Sequence, residues 1–400
     1  MSRISLYRSL GLALLLAALA PLASALQVNG LYSERVAVAN ESPAERTRAI
    51  REALESVILK VTGNRRWLSD ARVDQAINDA QRYVQAISYS SETVLQEPAP
   101  QADSQTAPDN DAQTPASNNQ TPASNGQTSA SDAQLPARPV TREQRYITVQ
   151  FAKSLIDQTL VNADIPVWES NRPSVLVWMV LQNAAGERTM LSADSNPAIM
   201  ALLRDFANRR GLPIIFPLLD FADRLNLSED EAWALDEEAI RTASARYGAD
   251  SVLTARVHFT ASGELVGLWQ FIFQDQVQTF DGFASELQDY LFEPLDRITT
   301  QLAAYFAITP QERTLRSVNL RIDGIDDLAA YAELINYVDS LSVVESAVPT
   351  ALDGTRIELR LSVIGGAQQL NEVIALDRDL LPVNDPREAE GDILRYRWTR

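Results

Sequence analysis

The 400-residue chain has no cysteine and one histidine, His258, and among its 35 basic residues only Lys60 and Lys153 are lysines. Each shortage excludes something. Without cysteine no disulfide can brace the fold, and thiolate catalysis and thiolate metal sites are ruled out. One histidine cannot supply the clustered imidazoles of a zinc site. To act as a base it would need a nucleophile and an orienting carboxylate within reach, and the sequence offers no G-x-S-x-G elbow. His258 falls in the alternating run "SVLTARVHF", on the face of Val252, Thr254 and Arg256, and reads as a structural or surface residue. Phosphate-cradling glycine loops are missing as well; "VTGN" and "GGAQQ" stand alone. No cofactor and no metal is expected.

Positive charge is scarce. Against 53 acidic residues the chain carries a net charge of −18. An acidic surface is a poor partner for nucleic-acid phosphates and for anionic lipid. Two causes of this balance stay open: adaptation to salt, which screens self-repulsion, and a genome that favours arginine codons. "DNDAQTPASNNQ" has alternating acidic residues but lacks the central Gly and closing Glu of a calcium loop. "SEDEAWALDEE" reads as a solvated helix face or loop. No pair of carboxylates is singled out by its setting.

Long hydrophobic runs are also lacking, with one exception. Leu10 to Leu22 follows Arg3 and Arg8 and precedes the small residues "ASA" at Ala23–Ala25. That is the three-part signal-peptide pattern, so residues 1–25 are expected to direct export to the periplasm and to be removed. The run is shorter than the roughly 20 apolar residues of a spanning helix. With no cysteine to acylate, the mature chain is expected to have neither a transmembrane segment nor a lipid anchor.

What remains divides into three units. Residues 26–170 form an N-terminal α/β unit. In "SPAERTRAIREALESVILKVTGN", Ser42 is a helix N-cap, Pro43 takes the first helical position, and Glu45 suits a capping box. Ile50, Leu54, Val57, Ile58 and Val61 recur at helical spacing, and Gly63 ends the helix. "QAISYSSETVL" and "RYITVQFA" read as strands flanking residues 96–139. That stretch is Pro, Ser, Thr, Asn, Gln, Ala and Asp, too polar to offset its own ordering entropy. It reads as a disordered insert at the tip of a hairpin. A tether between two domains is the alternative.

Residues 171–308 form a central unit with a mixed sheet. "VLVWMVLQ" is apolar on both faces, as in a central strand of a covered sheet. Helices, three strands in a meander and the helix 284–306 follow. Residues 314–400 read as βαββαβ, the ferredoxin-like order. The fold class is therefore α/β with α+β elements, in three small mixed-sheet units. Between the first two units lie Trp168, Asn171 and Arg172, in an irregular stretch where grooves form. Trp and Arg are common binding anchors. The competing reading is that Trp168 packs a domain junction and Arg172 pairs with a carboxylate.

"QVNGLYSERVAVANESPAERTRAIREALESVILKVTGN", "IPVWESNRPSVLVWMVLQ" and "GLPIIFPLLD" with "ASARYGADSVLTARVHF" resemble the family known as domain of unknown function 2066. That resemblance implies an exported protein of Gram-negative bacteria, with no established activity or catalytic residues. "ARYGADSVLTARV" is similar to a helix–strand step in α/β domains of curli-secretion and Tol proteins, and the first helix to a domain of a flagellar T-ring protein. These resemblances imply work in building or bracing the cell envelope. The expectation is a non-enzymatic binding or structural component with an envelope protein as partner; the alternative is a carboxylate-dependent hydrolase of an envelope polymer.

Overall fold

The structure, a computed structural model, describes residues 28–96, 140–376, 379–383 and 393–400. The signal-peptide reading at 1–25 and all of the insert read at 96–139 except Gln96, which ends a strand, lie outside the described residues. The protein is an α+β fold with three sheets.

The first sheet has the order β1-β3-β2, from Ser33–Val38 (β1), Val84–Gln96 (β2) and Val140–Phe151 (β3), all antiparallel. Pairing of β2 with β3 runs until Gln96 faces Val140. The two ends of the intervening stretch therefore leave the body at one place. Helix α1, Pro43–Thr62, lays Ile50, Leu54, Val57, Ile58 and Val61 against Ile147, Val149 and Phe151 of β3. Helices α2 (Ala71–Asn78) and α3 (Lys153–Asn162) close the same core. Ser42 caps α1 as expected, accepting from the Glu45 amide at 3.3 Å. The capping box is not made. The Glu45 carboxylate reaches past Ser42 to the Ala39 amide at 3.0 Å, and Asn40 takes the Ser42 amide at 2.9 Å. Arg48 grips Glu45 from the helix side and fixes it there.

The second sheet follows the order β5-β4-β7-β8-β9: Arg188–Met190 (β5), Val175–Gln182 (β4), Ser251–Phe259 (β7), Leu265–Phe273 (β8) and Gln276–Ala284 (β9). A two-residue strand, β6 at Ile214–Ile215, pairs with β4. β4 and β7 are parallel, and the meander β7-β8-β9 is antiparallel. β4 is covered on both sides. Val175, Val177 and Met179 meet α4 (Pro197–Arg210) and α8 (Leu287–Phe306). Leu176, Trp178 and Val180 meet the short helices α5 (Phe221–Asn226), α6 (Glu229–Ala234) and α7 (Glu237–Ser244), through Leu227, Ala232, Ile240 and Ala243.

The third sheet is β11-β12-β10-β14-β13: Val344–Asp353 (β11), Arg356–Ile364 (β12), Leu315–Asp323 (β10), Ile393–Trp398 (β14) and Leu380–Pro382 (β13). Helices α9 (Leu328–Ser340) and α10 (Ala367–Ala375) supply Leu334, Val338, Leu370 and Ile374 to its core. The order of β11, β12, β10 and β14 is the ferredoxin-like one. The added edge strand β13 turns the last element round, so β14 runs parallel to β10. No helix among the described residues is long and apolar enough to cross a membrane.

Candidate functional site at the junction of the three sheets

Residues 165–174 carry Pro166 and Pro173, which lack the N–H a ladder needs, so the chain here cannot continue as a strand. It is instead tied to all three units. Val167 exchanges both backbone hydrogen bonds with Ile308, at 3.0 and 2.9 Å. The Trp168 amide donates to the Val61 carbonyl at 2.8 Å, at the end of α1. The side-chain oxygen of Asn171 accepts from the Ser342 amide at 2.8 Å, in the third unit.

Trp168 and Arg172 are buried, at 1% and 0% exposure, and Asn171 is nearly so. Arg172 is the centre. It donates to five backbone carbonyls: Glu169 (3.0 Å), Trp168 (3.0 Å), Lys60 (2.7 Å), Arg210 (3.0 Å) and Gly211 (2.9 Å). Lys60 lies in the last turn of α1, and Arg210 and Gly211 end α4. One guanidinium thus satisfies the orphan carbonyls of two helix C-termini and faces the negative end of both dipoles. Its carbon lies 4.0 Å from the centre of the Trp168 ring. Burial first, and then the neighbouring Arg210, push its pKa down to about 9, which leaves it charged at neutral pH. Among the described residues no carboxylate pairs with Arg172; hydrogen bonds from a planar five-donor fork to carbonyls do that work.

Arg210 and Gly63 complete the junction. Arg210 donates to the Gly63 carbonyl at 3.0 Å and meets Asp296 of α8 at 3.0 Å. Gly63 ends α1 with φ of +66°, and a Cβ there would stand 2.2 Å from the Ala303 Cβ and 2.9 Å from the Trp168 ring. Only glycine lets α1 come this close to α8.

Beside the knot, charged residues from two units form a ring. Arg313 meets Asp157 (3.0 Å) and Glu169 (2.9 Å), and Lys153 meets the same two carboxylates at 2.9 and 3.2 Å. The Tyr32 hydroxyl donates to Asp157 at 2.6 Å. Burial, then the charges of Asp157 and Glu169, hold its pKa far above the ordinary tyrosine value. Tyr32 and Lys153 border an open groove of about 530 Å³ over the outer face of the first sheet, floored by Ser88, Thr148 and Gln150.

This is the chemistry of attachment. The carboxyls of Glu45 and Asp220 are held down at about 2 by hydrogen bonds from Arg48 and Arg246, the reverse of what a general acid needs. His258 lies on β7 between Gln182 and Val266, away from the junction. Sequence reasoning singled out Trp168, Asn171 and Arg172, and the structure brings Trp168 and Arg172 into direct contact. It missed Arg210, Arg313 and Asp157, whose partners, apart from Lys153 one turn before Asp157, lie far away along the chain.

The family model that matches the chain is Domain of unknown function (DUF8605), over residues 25–169, ending within the junction segment. The resemblance to domain of unknown function 2066 is therefore corrected. The features that carried it, a capped amphipathic helix and a strand apolar on both faces, are general solutions to burying one helix stripe or one covered sheet and recur across families. No curated protein matches. A crystal structure described as that of an uncharacterized protein aligns over 34% of this chain and 95% of its own, at 13% identity and a TM-score of 0.14. So low a score carries no argument.

Proposed function

We propose that this chain is a non-enzymatic component of the bacterial cell envelope, exported to the periplasm, with a binding or structural task and an envelope protein as partner. One observation supports this most: the buried side chains of Arg172 and Asn171 tie the junction segment to elements of all three units. Arg172 alone joins two helix ends and the segment between them. A body fixed this firmly suits a platform that presents surfaces. The polar outer face of the first sheet, with Tyr32 and Lys153 at its border, carries an open groove that offers a surface for contact. On this reading a change at Trp168 or Arg172 acts on a partner through the junction, since neither side chain reaches solvent.

Crosslinking in intact periplasm, followed by affinity capture of the tagged chain, tests the partner. Capture of a defined envelope protein, lost when Ser88, Thr148 and Gln150 are replaced by arginine, is the expected result. Turnover of peptidoglycan, a glycan or a phosphoester by the purified chain, abolished by a single Asp or Glu substitution with the fold intact, would overturn the non-enzymatic reading.

A further inference from the structure

Three large apolar side chains stand in solvent at α5: Leu218 (61% exposed), Phe221 (82%) and Leu225 (73%). Phe221 and Leu225 are one turn apart and share the outer side of the helix. Their mount is fixed from within. Asp223, on the inner side, accepts from the Leu219 amide and the Tyr247 hydroxyl, and the Leu218 amide donates to that hydroxyl at 2.9 Å. Leu219 is held at φ of +53°, a left-handed conformation that is costly for leucine. Packing within one chain does not explain an outward apolar ridge on a strained, fastened mount; such a cluster marks a contact surface.

Beside the ridge, between β5 and the corner of α5 and α6, lies an open cavity of about 350 Å³. Met190, Leu219 and Leu227 give it an apolar wall, and Arg188, Arg224 and Glu229 its charges. A cavity of roughly 150 Å³ admits benzene, so a phenylalanine ring fits here. Arg224 comes between Asp223, which faces inward, and Leu225, which faces out, so ridge and cavity occupy neighbouring sides of one short helix. Most charges nearby are paired. Arg188 meets Asp230 at 2.9 Å, Arg246 meets Asp220 and Asp223, and Glu231 is taken up by the capping box with Ser228. Arg224 and Glu229, one of each sign, have no ion-pair partner among the described residues; Arg224 donates only to the Leu219 carbonyl.

We propose that this ridge and this cavity form a contact between two copies of the chain related by a two-fold axis. The ridge of one copy enters the cavity of the other, and the reverse, while Arg224 of each meets Glu229 of the other. A two-fold contact needs a surface complementary to itself. A projection, a hollow and one unpaired charge of each sign, side by side, meet that need. A lipid surface would take the ridge and leave the hollow and both charges without a counterpart. The contact is small, so the dimer is a weak one, in the micromolar range. It goes beyond the envelope role and does not rest on it.

Sedimentation velocity of the purified chain from about 1 to 200 µM tests it. The salt is held at about 0.15 M, where repulsion between two acidic chains is screened beyond about 8 Å. The mass is expected to rise from one chain toward two. Phe221→Asp changes a side chain already in solvent, so the fold is kept; it should weaken association at least about tenfold, because an apolar anchor is lost twice per pair. Arg224→Glu and Glu229→Arg should each weaken it, and mixing these two variants should restore it, since both cross-contacts then join opposite charges. Circular dichroism checks the fold of all three. A chain that stays single throughout would overturn the proposal. So would a dimer indifferent to Phe221→Asp, or a mixture that associates no better than the separate variants. A single chain that floats with phosphatidylcholine vesicles, and loses them in Phe221→Asp, would overturn it in favour of a lipid surface.

Discussion

Two arginines fasten chain segments together in this protein, one inside and one at the surface, and they do it with opposite partners. Arg172, fully buried, meets five neutral carbonyls. Arg246, at the surface of the central unit, meets carboxylates: Asp220 at 2.6 and 2.9 Å and Asp223 at 3.0 Å. Burial drives the pKa of Arg172 down, whereas the hydrogen bonds that Arg246 donates to Asp220 drive its own up. Water explains the contrast. At the surface, an exposed carboxylate such as Asp220 can be brought to a guanidinium at little desolvation cost, and that pair adds little. In the interior a second full charge would have to be stripped of water too. Arg172 uses helix-end carbonyls instead, which carry partial negative charge and need donors in any case.

If that contrast is right, the effects of substitution should be graded by burial. Arg172→Met should cost the most, about 3–5 kcal/mol, because five carbonyls lose their donor in a site that water does not reach. Arg172→Lys should recover little of it, since an ammonium has three donors and no planar fork. Denaturant titration of both variants measures the loss; near-native stability for Arg172→Lys would show that charge alone matters there.

Gly63→Ala comes next. It places a Cβ inside the contact of α1 with α8 and forces a left-handed backbone on alanine, at about 2–3 kcal/mol from overpacking and strain together. The same titration reads it, and a loss below about 1 kcal/mol would mean that the helices separate easily.

Asp223 sits between the two extremes. It is 1% exposed and accepts from the Leu219 amide at 2.9 Å and the Tyr247 hydroxyl at 2.5 Å as well as from Arg246. Asp223→Ala should cost about 1–3 kcal/mol, the penalty for leaving those donors unmet.

Arg246→Gln should cost least, under about 1 kcal/mol, and sodium chloride should shrink the difference from the parent. It also has a pH signature. Because Asp220 is depressed to about 2 from its ordinary 3.8, its share of stability is present above the ordinary value and is lost as pH falls toward 2. In Arg246→Gln that acid-dependent share should largely vanish, which parallel denaturation midpoints across the range would show.

Much of the fold is legible along the chain, because its signals are local. The two-faced run of β4, the cap at Ser42 and the stop at Gly63 each depend on residues within a few positions. The site is less legible because its partners are distant. Arg172 bonds to Lys60, 112 residues away in sequence, and to Arg210 and Gly211, 38 and 39 residues away, and nothing near Arg172 points to them. Some local signals also mislead. "LPIIFPLLD" has the composition of a strand, yet only Ile214–Ile215 pair, since Pro213 and Pro217 on either side offer no amide. In the third unit the brevity of β13 hides it, and with it the reversed direction of β14.

The scarcity of lysine gives the surface a chemical address. Lys60 is buried, with its ammonium against Glu34 at 2.5 Å and the Ser33 carbonyl at 3.0 Å. Lys153 has half its side chain in solvent, at the border of the groove on the first sheet. An amine-directed reagent applied to the folded protein therefore has one ready side-chain target. A dye placed there reports on whatever settles over the groove. By the same token, a lysine crosslinker catches only partners that approach from that side, and a partner on the central or third sheet would need a carboxylate-directed reagent to be seen.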